Sequence, residues 1–400
     1  MSVSYFMDSN IRNKFDKRFF QILKGQLDKP YEEIIKIFNV DEGLSEKELF
    51  SAPNIKKLEY LFSTAALSFS SDKNRGLIHP IIAIPSVNTE SISHFLIDRL
   101  KSYNEKDPNL RFSVIDCKNL VGSSPLFSEN PESIKIPNLI KWRIENEDSA
   151  SRSKLFLLTN ITEILLDKSL LFNEVVNELN SISADASFII FLTPSAYHII
   201  KSSFSDEDFE LRFSRIIYFE GFEIDNPNFF KEVVENRLKS NDKLKNICLG
   251  TDDLHLILKE SKGVPFYSFK ILENFLKNVL IQNTNDFSYS MTTLKTDQDF
   301  YMSLWEAVDN LTVRQIDILA TLLNTPNKRA NIKDIREKLR YIRGEGVGNR
   351  SAITQQITKL YEKNIIDKER PSNSKIVYYR VKTNVEPAIE YKICEKLLNM

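Results

Sequence analysis

Five short apolar runs recur between residues 77 and 219, and stretches with helical spacing separate several of them. They are Leu77 to Pro85 (LIHPIIAIP), Arg111 to Asp116 (RFSVID), Lys154 to Leu158 (KLFLL), Ser187 to Leu192 (SFIIFL) and Arg215 to Phe219 (RIIYF). Runs this short suit strands better than helices, and the first, rich in isoleucine, has the signature of a buried strand. Ser91 to Tyr103 and Leu170 to Ile182, lying between runs, space their apolar residues as helices do. Strands that alternate with helices predict a mostly parallel sheet covered by helices, so residues 76–222 read as an α/β domain.

The flanking segments change period. Residues 1–75 read as a charged helical region, with YEEIIKIF at Tyr31 to Phe38 and NIKKLEYLFSTAAL at Asn54 to Leu67. Residues 223–298 read as a helical lid and linker, with helices over Asn228 to Lys239, Asp252 to Glu260 and Val264 to Leu280, then a polar linker from Gln282 to Gln298. Residues 299–400 form a separate unit in this reading. Thr312 is placed to N-cap a helix to Leu323 whose stripe is Val313, Ile316, Leu319, Ala320 and Leu323. A second helix covers Ile332 to Ile342, Gly344, Gly346 and Gly348 supply a turn, and a third helix covers Asn349 to Lys363. Strands follow at Ile365 to Glu369 and Lys375 to Val381. Three helices and a two-stranded hairpin are the winged helix-turn-helix plan.

Charge marks the same end of the chain. From Ala307 to Met400 there are 18 Lys and Arg against 11 Asp and Glu, +7, so the remainder carries -8 of the total -1. A basic end on an acidic body is the footprint of a polyanion site. The polar face of the third helix offers Arg350, Ser351, Thr354, Gln355 and Lys359 to base edges and phosphates. The hairpin adds Lys368, Arg370 and Lys375, and Arg343, at the end of the second helix, joins the set. Double-stranded DNA is the expected partner. The alternative is that this unit makes protein contacts, as a scaffold or a dimeric regulator.

Phosphate chemistry, by contrast, lacks its parts. A phosphate-binding loop needs G-x-x-x-x-G-K-[ST] after the first strand, where amides wrap the phosphates and the lysine meets their charge. The chain has Ile84-Pro85-Ser86-Val87-Asn88-Thr89-Glu90-Ser91 there: Ser91 keeps the hydroxyl, Glu90 stands in the lysine's place, and both glycines are gone. Only 10 glycines occur in 400 residues, and none stands in this turn. The acids that hold magnesium and activate water belong after the strand ending at Leu158, where Thr159 and Asn160 stand instead. The expectation is therefore no ATPase activity and no cofactor, with a working nucleotidase at an unrecognised site as the remaining alternative. Cys117, Cys248 and Cys394 are far apart, as are the four histidines, so neither disulfides nor a metal site is expected. No apolar run reaches 18 residues, so no membrane span is expected. An intracellular protein of the nucleus, nucleoid or cytoplasm is the corresponding expectation.

The order of these parts resembles the AAA+ ATPases of the replication-initiator group, the origin-recognition-complex and Cdc-six-type proteins with their archaeal relatives. The residues that carry the resemblance are the turn at 84–91, Val114-Ile115-Asp116-Cys117, Lys154 to Asn160, Phe188 to Pro194, Arg212 to Phe219 and Gly263-Val264-Pro265-Phe266, with the terminal winged helix completing the order. The resemblance implies an AAA+-like parallel sheet with a helical lid, followed by a winged helix. It also implies DNA, and the protein partners of an AAA+-type assembly or further copies of the chain, in origin recognition, replication initiation or silencing. Phe266 or Tyr267 stands where the lid arginine is expected, and Arg212 or Arg215 where an arginine acting on a partner's nucleotide would be.

Overall fold

The computed structural model describes residues 78–83, 112–116, 155–159, 187–214, 217–219, 221–240, 250–282, 288–344, 349–372 and 375–398, with a few single positions besides. Of the expected helices of residues 1–75 only Tyr60 is described, and the turn at 84–91 and Asn160 lie outside the described residues.

All five apolar runs form strands: β1 (Ile78–Ala83), β2 (Phe112–Asp116), β3 (Leu155–Thr159), β4 (Ser187–Leu192) and, after α1 (Pro194–Ser203) and α2 (Asp206–Arg212), β5 (Ile217–Phe219). They make one parallel sheet in the order β2-β3-β4-β1-β5. Burial follows that order. All six residues of β4 are buried, as are Leu155 to Leu158 of β3, whereas Val114 on the edge strand β2 is exposed. Full burial on both faces is why the inner runs show no polar alternation.

Pro80 sits inside β1, an inner strand, although proline cannot donate to the ladder. The Ser214 N–H donates to the Ile78 carbonyl at 2.9 Å, so Ile78 turns its backbone groups toward the β5 side. Alternation along a strand turns Pro80 the same way. There the missing donor falls between the isolated pairing Ile78↔Phe213 and the ladder that starts at Ile81↔Ile217.

The described residues fall into two compact units. One, within 220–309, contains the four helices α3 (Asn228–Lys239), α4 (Thr251–Ser261), α5 (Pro265–Gln282) and α6 (Ser288–Asp309). Its core is aromatic: Phe222 packs on Phe229, Phe230 and Phe269, and Tyr267 meets the edges of Tyr301 and Trp305, each at 5.6 Å. The glycine of the Gly263-Val264-Pro265-Phe266 run serves a backbone crossing. The Phe222 N–H donates to the Gly263 carbonyl at 2.7 Å, and a Cβ on Gly221 would lie 2.0 Å from that same oxygen. Gly263 itself has φ +70°, a conformation that favours glycine. The expected linker from Gln282 to Gln298 is helical from Ser288, and the expected boundary at 298/299 falls inside α6. The segment is polar, which suggested a linker, but no glycine or proline occurs between Pro265 and Pro326 to break a helix.

The other unit holds the sheet together with residues 310–400. The latter contain α7 (Val313–Leu323), β6 (Arg329–Ala330), α8 (Ile332–Arg343), α9 (Arg350–Glu362), β7 (Ile366–Glu369), β8 (Tyr378–Val381) and α10 (Glu386–Leu398). The elements occur in the order expected of a winged helix, with β6 extending the hairpin to a three-stranded antiparallel sheet, β6-β8-β7. Thr312 caps α7 through Gln315 N, Asn331 caps α8 through Lys333 N and Asp334 N, and Asn349 caps α9 through Ala352 N. The C-terminal unit is not separate, as the sequence suggested: α7, α8 and α10 pack on α1, the helix that follows β4.

Candidate nucleic-acid interface

α9 turns Ile353, Ile357 and Leu360 into the core. At 100° per residue, Ser351, Gln355, Thr358 and Glu362 occupy the opposite side with Lys359 on its flank, whereas Arg350, the first residue of the helix, lies nearer the core stripe on the wheel. Arg350, Ser351, Gln355 and Lys359 are exposed, and Thr354 is half-buried. The Thr354 hydroxyl donates to the Arg350 carbonyl at 2.8 Å and that of Thr358 to the Thr354 carbonyl at 3.0 Å. Both threonines thus spend their proton within the helix and can only accept from a ligand. No acid stands in the first turn, and Asn349 satisfies only the Ala352 N–H at 2.9 Å, so the positive end of the helix dipole reinforces Arg350.

The hairpin carries Lys368 in β7, opposite Tyr379, with Arg370 just beyond the strand and Lys375 before β8. All three are exposed. The sequence reading missed two further arginines. Arg329 and Arg380 are register partners across β6 and β8, and Arg329 lies over the Tyr378 ring, 5.4 Å from its centroid. A two-residue strand has no legible period, and this is why β6 and its arginine escaped notice.

Arg343 stands apart from the rest of the predicted set. Its guanidinium forks onto Asp317 of α7, Nε to Oδ2 at 3.1 Å and Nη2 to Oδ1 at 3.0 Å. His198 Nε2 of α1 meets the same Oδ1 at 2.8 Å. Burial pushes the Asp317 carboxyl up, but the bonds and charges of His198 and Arg343 outweigh that and hold it below its ordinary value.

One helical turn earlier on α1, a second carboxylate joins the same surfaces. Glu390 of α10 accepts from the Ser195 N–H at 2.7 Å and from the Ser195 hydroxyl at 2.6 Å, and Asn324 Nδ2 donates to that hydroxyl at 2.9 Å. Burial pushes Glu390 up to about 7, against the lowering effect of the two Ser195 bonds and of Lys328, while Glu386 adds to the rise.

The phosphate side of the prediction is visible only in part. Glu90, Ser91 and Asn160 lie outside the described residues. Thr159 is the last residue of β3, half-buried and paired with Asp116. Thr193, which follows β4, caps α1: its hydroxyl accepts from Ala196 N at 3.2 Å. Tyr267 is buried in the aromatic core of the 220–309 unit. The Arg212 guanidinium lies 5.3 Å from the Phe204 ring centroid, and Arg215 is outside the described residues. Of the expected nucleotide-site residues only Thr159 is described, with Asp116, a carboxylate, as its register partner at the carboxyl edge of the sheet. Thr159 brings no charge, and the Thr193 hydroxyl is taken by a helix cap. Among the described residues no three metal-ligating side chains cluster, and no helix is long and apolar enough to cross a membrane.

No family model and no curated protein matches this chain. Among solved structures, it is similar to a chain of the Drosophila origin recognition complex bound to DNA, at 11% identity and a TM-score of 0.37, over 90% of this chain and 91% of that one. The Aeropyrum pernix ORC2 protein in its ADPNP–ADP complexes is similar at 10% identity and a TM-score of 0.38, over 86% and 94%. The replication initiator DnaA bound to AMPPCP and single-stranded DNA is similar at 11% identity and a TM-score of 0.33, over 76% and 88%.

Proposed function

We propose that this chain is a non-catalytic DNA-binding protein that works within a multiprotein assembly of the origin-recognition, replication-initiation or silencing kind. The observation that carries the DNA part is the joint exposure of Arg350, Ser351, Gln355 and Lys359 on α9 and of Lys368 and Lys375 on the hairpin. Its four cations have no ion-pair partner among the described residues, whereas Arg343, Lys328 and Lys382 of the same region are paired. Unpaired cations, Arg350 at a helix N-terminus among them, suit phosphates, and Ser351 and Gln355 suit base edges in a major groove. The lack of catalysis rests on Glu90 in the lysine's place and on neutral Thr159 and Asn160 where acids are needed.

The test is binding of a mixed-sequence duplex by the full chain across a series of salt concentrations. The reading expects log K to fall linearly with log salt, with a slope set by several phosphate contacts. A second reading, contact with a protein, draws on Tyr361 at the end of α9 and Val313 at the start of α7, each 53% exposed. No duplex binding at low salt, together with self-association lost on Tyr361→Ser, would favour that alternative.

A further inference from the structure

We propose that Arg343 and Asp317, with His198 behind them, are positioning residues for the nucleic-acid face: they hold the end of α8, and thereby the approach to α9, against the helix that follows β4. This rests on the DNA reading above and changes the part that Arg343 plays in it.

Three elements meet at one carboxylate. Asp317 lies on α7 with its side chain 7% exposed; His198 reaches it from α1, and Arg343 reaches it from the last residue of α8. The two bonds from Arg343 form a fork, which fixes orientation as well as distance. The next residue, Gly344, has φ +72°, and α9 starts six residues further on. Arg343, the last residue of α8, is thus locked to Asp317 of α7, and the same carboxylate ties α7 to His198 of α1. The same helix is gripped one turn earlier by Glu390 and Asn324 at Ser195, so α1 cannot turn under the network without breaking both contacts. α1 contributes no residue to the proposed face. A change at His198 that alters DNA affinity in a folded chain therefore acts through its contact with Asp317.

The prediction separates a contact from a support. A phosphate contact works through charge, so Arg343→Lys would keep binding and Arg343→Ala would lower the salt slope by about one. A support works through the fork, which lysine cannot form. In full-length protein we expect Arg343→Lys and Arg343→Ala alike to lose about tenfold in duplex affinity with the slope unchanged. His198→Leu should lose a similar factor, His198→Gln, which keeps an N–H for Asp317, should regain it, and the Arg343 and His198 losses should not add. Should His198→Leu fail to fold, the two Arg343 variants decide alone, because that side chain is 41% exposed. Arg343→Lys that binds like the parent, with Arg343→Ala flattening the slope, would overturn the proposal and leave the DNA reading intact. A parent chain that binds no duplex at low salt overturns both.

Discussion

The two ends of one joint treat a buried carboxylate in opposite ways. Asp317 is given a guanidinium fork and an imidazole, and its charge is held. One turn away along α1, Glu390 is given a backbone N–H and a hydroxyl but, among the described residues, no cation in direct contact. Lys328, the cation that lowers its value, is bonded to Glu386 instead. Burial penalises both charges, and only a fixed counter-charge reverses the penalty. The first carboxylate is thus held in its charged form by its partners, and burial pushes the second up to about 7. The exposed face of α9 is a third case, with cations that the fold leaves unmatched. What the fold commits and what it leaves open can be told apart by measurement.

The largest effect expected is at the committed ion. Asp317→Ala leaves His198 without its acceptor and Arg343 without its fork. Breaking a buried pair from one side costs about 3 kcal/mol, somewhat less here because Arg343 is partly exposed. Denaturant unfolding of the full chain measures it, and a loss under about 1 kcal/mol would show that the ion is not committed.

Next in size is the titrating acid. Its folded value is raised from 4.5 to about 7, so the folded chain favours the neutral form. Stability is then highest below the unfolded value and falls as pH rises from about 4.5 to about 7, by on the order of 2 kcal/mol. Asp317 has the other sign: its contribution is present above its unfolded value and lost as pH drops toward its lowered folded value. Glu390→Gln keeps an acceptor for Ser195 and removes the charge. It should flatten the loss between about 4.5 and about 7 and leave the variant more stable than the parent above pH 7, read as Tm against pH. An unchanged pH profile would make the two carboxylates alike and end the contrast.

Smaller still are the uncommitted cations. Arg350→Ala and Lys359→Ala should each lose about 1 kcal/mol of duplex affinity and about one unit of salt slope, with Tm barely changed. The same substitutions made on a committed residue would move Tm first. A melting point that falls while affinity holds would place Arg350 and Lys359 in the framework with Arg343.

Sequence and structure agree best where period and caps speak together. The five strands, α3 and the capped helices at Thr312 and Asn349 were legible because isoleucine runs, apolar stripes and side-chain caps are local signals. α6 was hidden by polar composition and β6 by its two-residue length, and α1, not among the expected helices, starts at the proline after Thr193. In the candidate interface, the α9 and hairpin residues could be read from the sequence because they share one element each. The role of Arg343 could not. Its partners stand 26 and 145 positions earlier, and nothing local marks an aspartate on α7 or a histidine on α1 as a neighbour. Charge can be counted in a sequence, but whether it is already spent depends on contacts the fold creates.

The smallest effect expected is none at all, at the carboxyl edge of the sheet. There the Thr193 hydroxyl is spent on capping α1, as Arg343 is spent on Asp317, and Thr159 brings no charge to hold magnesium. In the sequence Glu90 stands where a phosphate-binding lysine is expected, and its charge is of the same sign as a triphosphate's. A ligand that binds only the folded chain raises stability by RT ln(1 + [L]/Kd), which is about 2.7 kcal/mol at a hundred times Kd. Magnesium-ATP at millimolar levels should therefore leave the Tm of the full chain unmoved, in the parent and in Glu390→Gln alike. A rise that grows with the logarithm of ATP concentration would reveal a nucleotide site assembled from groups other than Thr159 and Thr193. If duplex affinity also changed under those conditions, the joint at α1 would be the first place to look for the coupling, since it ties the helix after β4 to the helices that lead to the DNA face.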